Sequence, residues 1–410
     1  MVACWLSAGI VFGFAALKPV LISEGVYGDL CDFKTISHSG HNDGSHLIPC
    51  DKQDLALNLF FIVASVTANV SSLLAGSILD KYGRRACWVV ACMALALGSL
   101  LMAASFAIAK LNGYLVANVL LSVGGTFIFV PSFQLANAFP KHSGIIVAMV
   151  TGAFDASAAV FLIYRLVYES THGSFSLHTF FFSYAIVPTL IILAEFAYMP
   201  RHSYHTITEL ERKIDEAQDN NRDIHVSDQD VHDRRELARI QNARADRRRA
   251  TLSQIENIAG DADQREERRR ANAEQHTASG VWGVLHGLPA RKQMLTPWFM
   301  LILLLTTLQM LRMNYFIATI RAQYRYMLGS EDVAATLNHF FDIALPVGGV
   351  ASTPFIGMLL NNLSVPTIFV CLTVLIGGVG VLNCIPHLWA GYATVVGFVI
   401  FRPLYYSAIS

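Results

Sequence analysis

Ten stretches of this 410-residue chain are each long and apolar enough to cross a lipid bilayer, and nothing else in the sequence constrains the fold as tightly. A helical span needs about 20 apolar residues, because the hydrocarbon core is about 30 Å thick and a helix rises about 1.5 Å per residue. Runs bounded by charges or turn residues lie near 2–22, 55–78, 86–109, 112–138, 144–168, 175–199, 296–319, 336–360, 364–385 and 387–409. The runs are continuous rather than alternating, so they predict helices and not barrel strands. The first is too long and too rich in large residues for a signal-peptide core, and no small-residue cleavage site follows it. The expected fold is an all-α polytopic membrane protein, with the lipid bilayer as its main partner.

Charge placement supports this reading. Only 15% of residues are charged, against about a quarter in a soluble domain. Of the 30 basic and 30 acidic residues, 34 fall within 201–292, 17 of each sign. An ordinary soluble enzyme and a disordered chain are both excluded. The net charge of zero leaves no basic surface for nucleic acid. No phosphate loop, nucleophile elbow or His-Glu-x-x-His is present, and no Cys or His cluster has metal-ligand spacing, so neither enzyme chemistry, cofactor nor metal is expected. His38, His41 and His46 crowd the first long loop; they read as solvated side chains, with weak metal binding or pH sensing as the alternative.

Lys and Arg in short loops set the orientation. Lys81, Arg84 and Arg85 follow the second span, Lys141 the fourth, and Arg201, Arg291 and Lys292 flank the long loop after the sixth. The loop at 23–54 is acidic instead, and Arg321 and Arg325 after the seventh span dissent mildly. The balance predicts a cytoplasmic N-terminus and a cytoplasmic 201–292 segment. The chain then divides into a six-helix bundle (1–200), the charged loop (201–292) and a second bundle (293–410). The loop lacks apolar periodicity and reads as a solvated linker, with partner or anionic-lipid binding as the alternative. Cys31 and Cys50 are the two cysteines of the non-cytoplasmic loop and can close it as a disulfide if that side is oxidising.

The two halves echo each other. The second span ends Gly76-Ser-Ile-Leu-Asp80-Lys81-Tyr82-Gly83-Arg84-Arg85, and the eighth ends Gly357-Met-Leu-Leu-Asn361-Asn362. The first copy resembles the loop motif of the major facilitator superfamily at every specified position. In physical terms Gly76 permits close helix approach, Asp80 accepts from a helix N-terminus of the opposite half, Gly83 permits the tight turn, and Arg84 and Arg85 anchor it. Cys50 through Leu59, Gly152 through Ser157, Leu311 through Phe316 and Phe401 through Ser407 resemble solute carrier family 43, the middle two its fungal branch. That resemblance implies a transporter of small organic solutes by alternating access, sodium-independent, with large neutral amino acids first and nucleobases second as substrate class. The fourth span lacks the Arg-x-x-x-Gly pattern of proton-linked porters, which weighs against proton antiport. Superfamily members have twelve spans, so the last two are expected to be missing from this sequence, whether as a fragment or as a degenerate relative. The competing reading is a transport-dead receptor or adaptor working through 201–292.

An ionised side chain at mid-bilayer costs about 2.5–3.5 kcal/mol on insertion scales, so charges within spans are functional candidates. They are Lys18, Asp155, Arg165, Glu195, Arg312, Asp342 and Arg402. Arg165 and Glu195 lie near span ends and read as snorkelling to the interface. Asp155 is about eleven residues into its span, about 16 Å deep, and should face a cavity or pair with Lys18, Arg312 or Arg402. Lys18 and Arg312 sit at matching depth in the first and seventh spans. Arg312 is read either as a permanent partner of Asp342 or as a fork for a substrate carboxylate. Asn314, Tyr315, Tyr405 and Tyr406 are candidate cavity residues. Because Asp80 lies at the rim, Asp80→Asn should slow transport while leaving apparent affinity within a few-fold. Initial-rate measurements over a substrate range check this, and a large affinity loss at unchanged maximal rate would refute it.

Overall fold

The computed structural model describes residues 1–31, 50–108, 113–138, 143–199, 234–259, 263, 266–267, 270 and 290–409. The three loop histidines, Lys141 and Arg201 lie outside the described residues. The chain is all-helical, with no strand among the described residues. It forms two compact units: Met1–Ser203 with Leu308–Ser410, and Tyr204–Thr307.

In the first unit the first span is built from α1 (Val2–Ser7), a 3-10 turn (Ile10–Gly13) and α2 (Phe14–Ser23). The second and third spans are two helices that meet at a kink at Gly83 and are labelled together α3 (Asp51–Ala107). The fourth is α4 (Tyr114–Ser132), the fifth is α5 (Ser143–Ala156) with α6 (Ala159–Ser170), and the sixth is α7 (Leu177–Tyr184) with α8 (Ile186–Tyr198). The second unit holds α9 (Arg234–Ala259) and α10 (Ala290–Met294), so part of the charged segment is helical. The remaining spans are α11 (Pro297–Leu328), which belongs to the first unit from Leu308 onward, α12 (Glu331–Asn362), α13 (Val365–Leu382) and α14 (Leu388–Ile409).

Seven helical segments are long and apolar enough to cross a membrane, and Ile10–Ser23 and Pro366–Leu382 are shorter apolar helices. Since α3 carries two spans, these account for the ten expected crossings. Their outward faces are apolar. Leu73, Leu311, Val370 and Val374 are all exposed, as lipid tails require.

The second and third spans are separate helices, as expected, and they meet at a kink inside the loop motif. Only Gly83 leaves helical geometry, at φ 78° and ψ 176°. That left-handed region is open to glycine at little cost, so one residue makes the turn and its neighbours remain helical.

The two halves meet along α5 and α12, and small residues set the distance. A Cβ added at Gly349 would stand 2.6 Å from the Asp155 Cβ, and one at Gly152 would stand 2.8 Å from the Gly349 carbonyl. Further along, a Cβ on Gly357 would meet the Ile145 Cα at 2.9 Å. Gly76, the matching residue of the first motif copy, was expected to serve such an approach; nothing described lies within 4 Å of a Cβ placed there. The echo residue Gly357 performs that role. Gly349→Val should therefore lower the thermal midpoint of detergent-purified protein, by overpacking worth about 1–3 kcal/mol. Gly76→Ala, measured in the same fluorescence scan, should be close to neutral.

Candidate functional site

Two broken helices face each other at mid-span. The first span loses its regular ladder between Ser7 and Phe14, and the fifth does so at Ser157 and Ala158. The Gly9 N–H, freed by the first break, donates to Ser157 Oγ at the second, over 2.8 Å. Non-helical backbone at membrane depth is tolerated where protein covers it, and it commonly lines a binding site.

Next to these breaks lies a buried ion pair. Asp155 at the end of α5 and Arg402 on α14 come within 3.1 Å, each side chain 1% exposed. The Arg402 guanidinium is flanked by ring faces, with Phe12 at 4.9 Å and Phe154 and Tyr406 both at 5.7 Å. Neither Asp155 oxygen has an aligned hydrogen-bond donor among the described residues. Ring quadrupoles contribute up to about 2 kcal/mol to a desolvated cation, which offsets part of the cost of burying Arg402. Of the three cations considered for Asp155, the structure selects Arg402. Tyr405 is buried nearby, its ring 5.6 Å from those of Phe401 and Tyr406.

A cavity of about 300 Å³ opens at one end of the bundle, lined from both halves. On one wall Lys18 contacts Asp54 at 2.8 Å and donates to Asn58 at 2.9 Å. On the other Arg321 contacts Glu331 at 2.7 Å, with Arg325 at 3.7 Å from the same carboxylate. Arg321 is thus the counterpart of Lys18: each cation near the end of one helix pairs with an acid opening the next. The expected counterpart was Arg312. The first span ends at Ser23 but α11 runs on to Leu328, so equal depth is found by counting back from the helix ends, not forward from the starts.

Arg312 does not meet Asp342. It donates to the Ile376 carbonyl at 3.0 Å and lines a small cavity of about 50 Å³ with Asn383 and Thr394. Asp342 instead contacts Arg165 at 3.1 Å. Tyr315 is 64% exposed, because Met313, Phe316, Ile317, Ile320 and Tyr324 occupy the buried face of α11. Asn314 is half-buried. Neither belongs to the larger cavity.

At the end of α3's first span, Asp80 and Lys81 are exposed. Arg84 turns inward to form an ion pair with Glu195, while Arg85 stands 3.7 Å from the same carboxylate and stacks over Phe196 at 5.0 Å. Glu195 is fully buried, not snorkelling as expected, since two guanidinium groups cover it. Cys31 and Cys50 are joined as a disulfide with Cα atoms 5.9 Å apart. Among the described residues no group of three or more His, Cys, Asp or Glu side chains is arranged to hold a metal.

The Major Facilitator Superfamily model matches residues 47–410. Protein FMP42 of Saccharomyces cerevisiae is 38% identical over 419 residues, covering 99% of this chain and 79% of its own length. Equilibrative nucleobase transporter 1 of Bos taurus is 30% identical over 169 residues, covering 41% of this chain and 34% of its own. Large neutral amino acids transporter small subunit 3 of Homo sapiens is 26% identical over 174 residues, covering 40% and 30%. The chain therefore spans about a third of each of these two transporters. Among solved structures, the proton:xylose symporter XylE bound to 6-bromo-6-deoxy-D-glucose superposes with a TM-score of 0.50 at 11% identity. That match covers 99% of this chain and 80% of the other, a likeness of fold alone.

Removing one member of the Asp155–Arg402 pair leaves an uncompensated buried charge. Asp155→Ala should destabilise the purified protein by about 3–5 kcal/mol, and the apolar double variant Asp155→Leu with Arg402→Met should recover most of that loss. Thermal midpoints of the three proteins in one detergent measure the coupling; additive losses would show the pair to be energetically idle.

Proposed function

The chain belongs to the major facilitator superfamily, and from that premise we propose that it is a secondary transporter moving a small organic solute by alternating access, with large neutral amino acids as its leading substrate class. The observation that carries this reading is the Asp155–Arg402 pair, which is fully buried, lies at mid-span beside two broken helices and joins opposite halves. A zwitterion offers one charge of each sign. Its carboxylate matches the Arg402 fork and its ammonium group matches Asp155, so a bound amino acid replaces the interaction that each loses when the halves part. Phe12, Phe154 and Tyr406 supply apolar faces for a large side chain.

The same ring cluster favours a second reading, a planar nucleobase stacked between aromatic faces. The orientation that accords with the loop charges puts the N-terminus and the 201–292 segment in the cytoplasm, in the plasma membrane or an organellar one.

Purified protein in proteoliposomes distinguishes the readings. Preloaded L-leucine should drive uptake of labelled L-leucine and not of the D-isomer, while adenine should compete weakly. Arg402→Lys keeps the charge but loses the fork, and should weaken leucine affinity about tenfold, which corresponds to about 1.4 kcal/mol. Counterflow of adenine without leucine would establish the nucleobase reading. Exchange of neither class by a folded protein would remove both.

A further inference from the structure

The charges within the spans are matched by opposite charges, with one exception. Lys18 is answered by Asp54, Arg402 by Asp155, Arg165 by Asp342 and Arg84 by Glu195. Arg312, midway along the 32-residue α11, is not: no ion pair joins it to a carboxylate among the described residues. Its hydrogen bond goes to an uncharged group, the Ile376 carbonyl of α13, at 3.0 Å. A guanidinium at this depth is costly without a counter-charge.

The cavity of about 50 Å³ that Arg312 lines is a cavity of donors. Asn383, at the end of α13, accepts from the Tyr324 hydroxyl at Oδ1 over 3.1 Å, which leaves its Nδ2 group to donate. Thr394 Oγ1 on α14 is buried without an aligned hydrogen-bond partner among the described residues. The Tyr324 hydroxyl that it neighbours has its own proton committed to Asn383. Gln323 Nε2 reaches only distant acceptors, the Asn383 carbonyl at 3.5 Å and Met327 Sδ at 3.7 Å. No Asp or Glu lines this cavity among the described residues, and the rest of its wall is apolar or aromatic. The larger cavity is of another kind, with Lys18, Arg321 and Arg325 set beside Asp51, Asp54 and Glu331.

A permanent cation, an unused hydroxyl and an unused amide group in an acid-free cavity are the chemistry of an anion site. Size then selects the anion. Pockets that enclose organic ligands run to about 300 Å³ and upward, so a whole amino acid or nucleobase does not fit here. A monatomic ion does. We propose that this cavity is a halide site, occupied by chloride, in which the anion neutralises Arg312 and accepts from Thr394 and Asn383. Because these three residues come from α11, α14 and the end of α13, the ion ties the three helices at one point. Binding to the folded state alone makes the protein more stable with chloride than without it. The site stands apart from the Asp155–Arg402 pair and holds whichever solute the protein moves.

The test uses the whole purified protein in detergent, with sodium chloride exchanged for sodium gluconate at constant ionic strength. Chloride added back should raise the thermal midpoint along a saturating curve, and bromide should substitute for it. The chloride-35 resonance should broaden in the presence of the protein and narrow again as bromide is added. Thr394→Val keeps the shape and removes a donor, and should move the curve to about tenfold higher chloride. Arg312→Gln should lose the saturable response. An equal midpoint in the two salts would overturn the proposal. So would a response that never saturates, or one that survives in Arg312→Gln, since either would mark an adventitious ion only. Should Arg312→Gln fail to fold, the unaltered protein and Thr394→Val still decide: an unbroadened resonance, or an unmoved curve in Thr394→Val, would overturn the site. Narrowing of the resonance by L-leucine would assign the cavity to a solute carboxylate and overturn the halide reading.

Discussion

A charge held at membrane depth must find its counter-charge within the protein, and the choice of partner decides which helices can separate. Among the described residues, Lys18 with Asp54, Arg84 with Glu195, Arg165 with Glu169, and Arg321 with Glu331 are ion pairs within one half. Two among the described residues cross between halves, Asp155 with Arg402 and Arg165 with Asp342. Both crossing pairs start from the fifth span, one from each side of its break. The within-half pairs keep each bundle rigid. In the proposed transport cycle, the crossing pairs are the charged contacts to be exchanged for solute or water.

Packing and charge reinforce each other at this place. The α5–α12 seam is close because Gly152, Gly349 and Gly357 present no side chain, and Asp155 contacts that seam through its Cβ. A helix pair this tight excludes water from the carboxylate, which makes Arg402 and its three aromatic neighbours necessary. Bulk at Gly349 would therefore disturb the ion pair as well as the packing.

The fold was legible in the sequence because a bilayer imposes one length on every crossing, and apolar runs report that length directly. The site was less so. Asp155 and Arg402 stood out as buried charges, but which cation Asp155 would take was not decidable from spacing. Arg321 went unrecognised because a helix that extends past the apolar run moves its terminus, and with it the reference point for depth. Glu195 was misread for a related reason. Distance from a span end predicts solvent only if nothing covers that end, and Arg84 and Arg85 come from a helix distant in sequence. The aromatic cage about Arg402 draws Phe12 and Phe154 from two other spans, and no local pattern brings those together.

The Cys31–Cys50 bond has a mechanical side. It fastens the chain just past α2 to the first turn of α3, and these two helices form one wall of the cavity. At its other end α2 begins at the 3-10 turn beside the mid-span break. The upper part of the first span is thus clamped at the rim and jointed at the centre, like a door leaf with its hinge in the middle of the membrane. A tilt of α2 must drag the head of α3 with it, so this wall swings as a single panel. Severing the bond would let the two helices swing separately, and the cavity would then lose its fixed outline before the protein lost its fold.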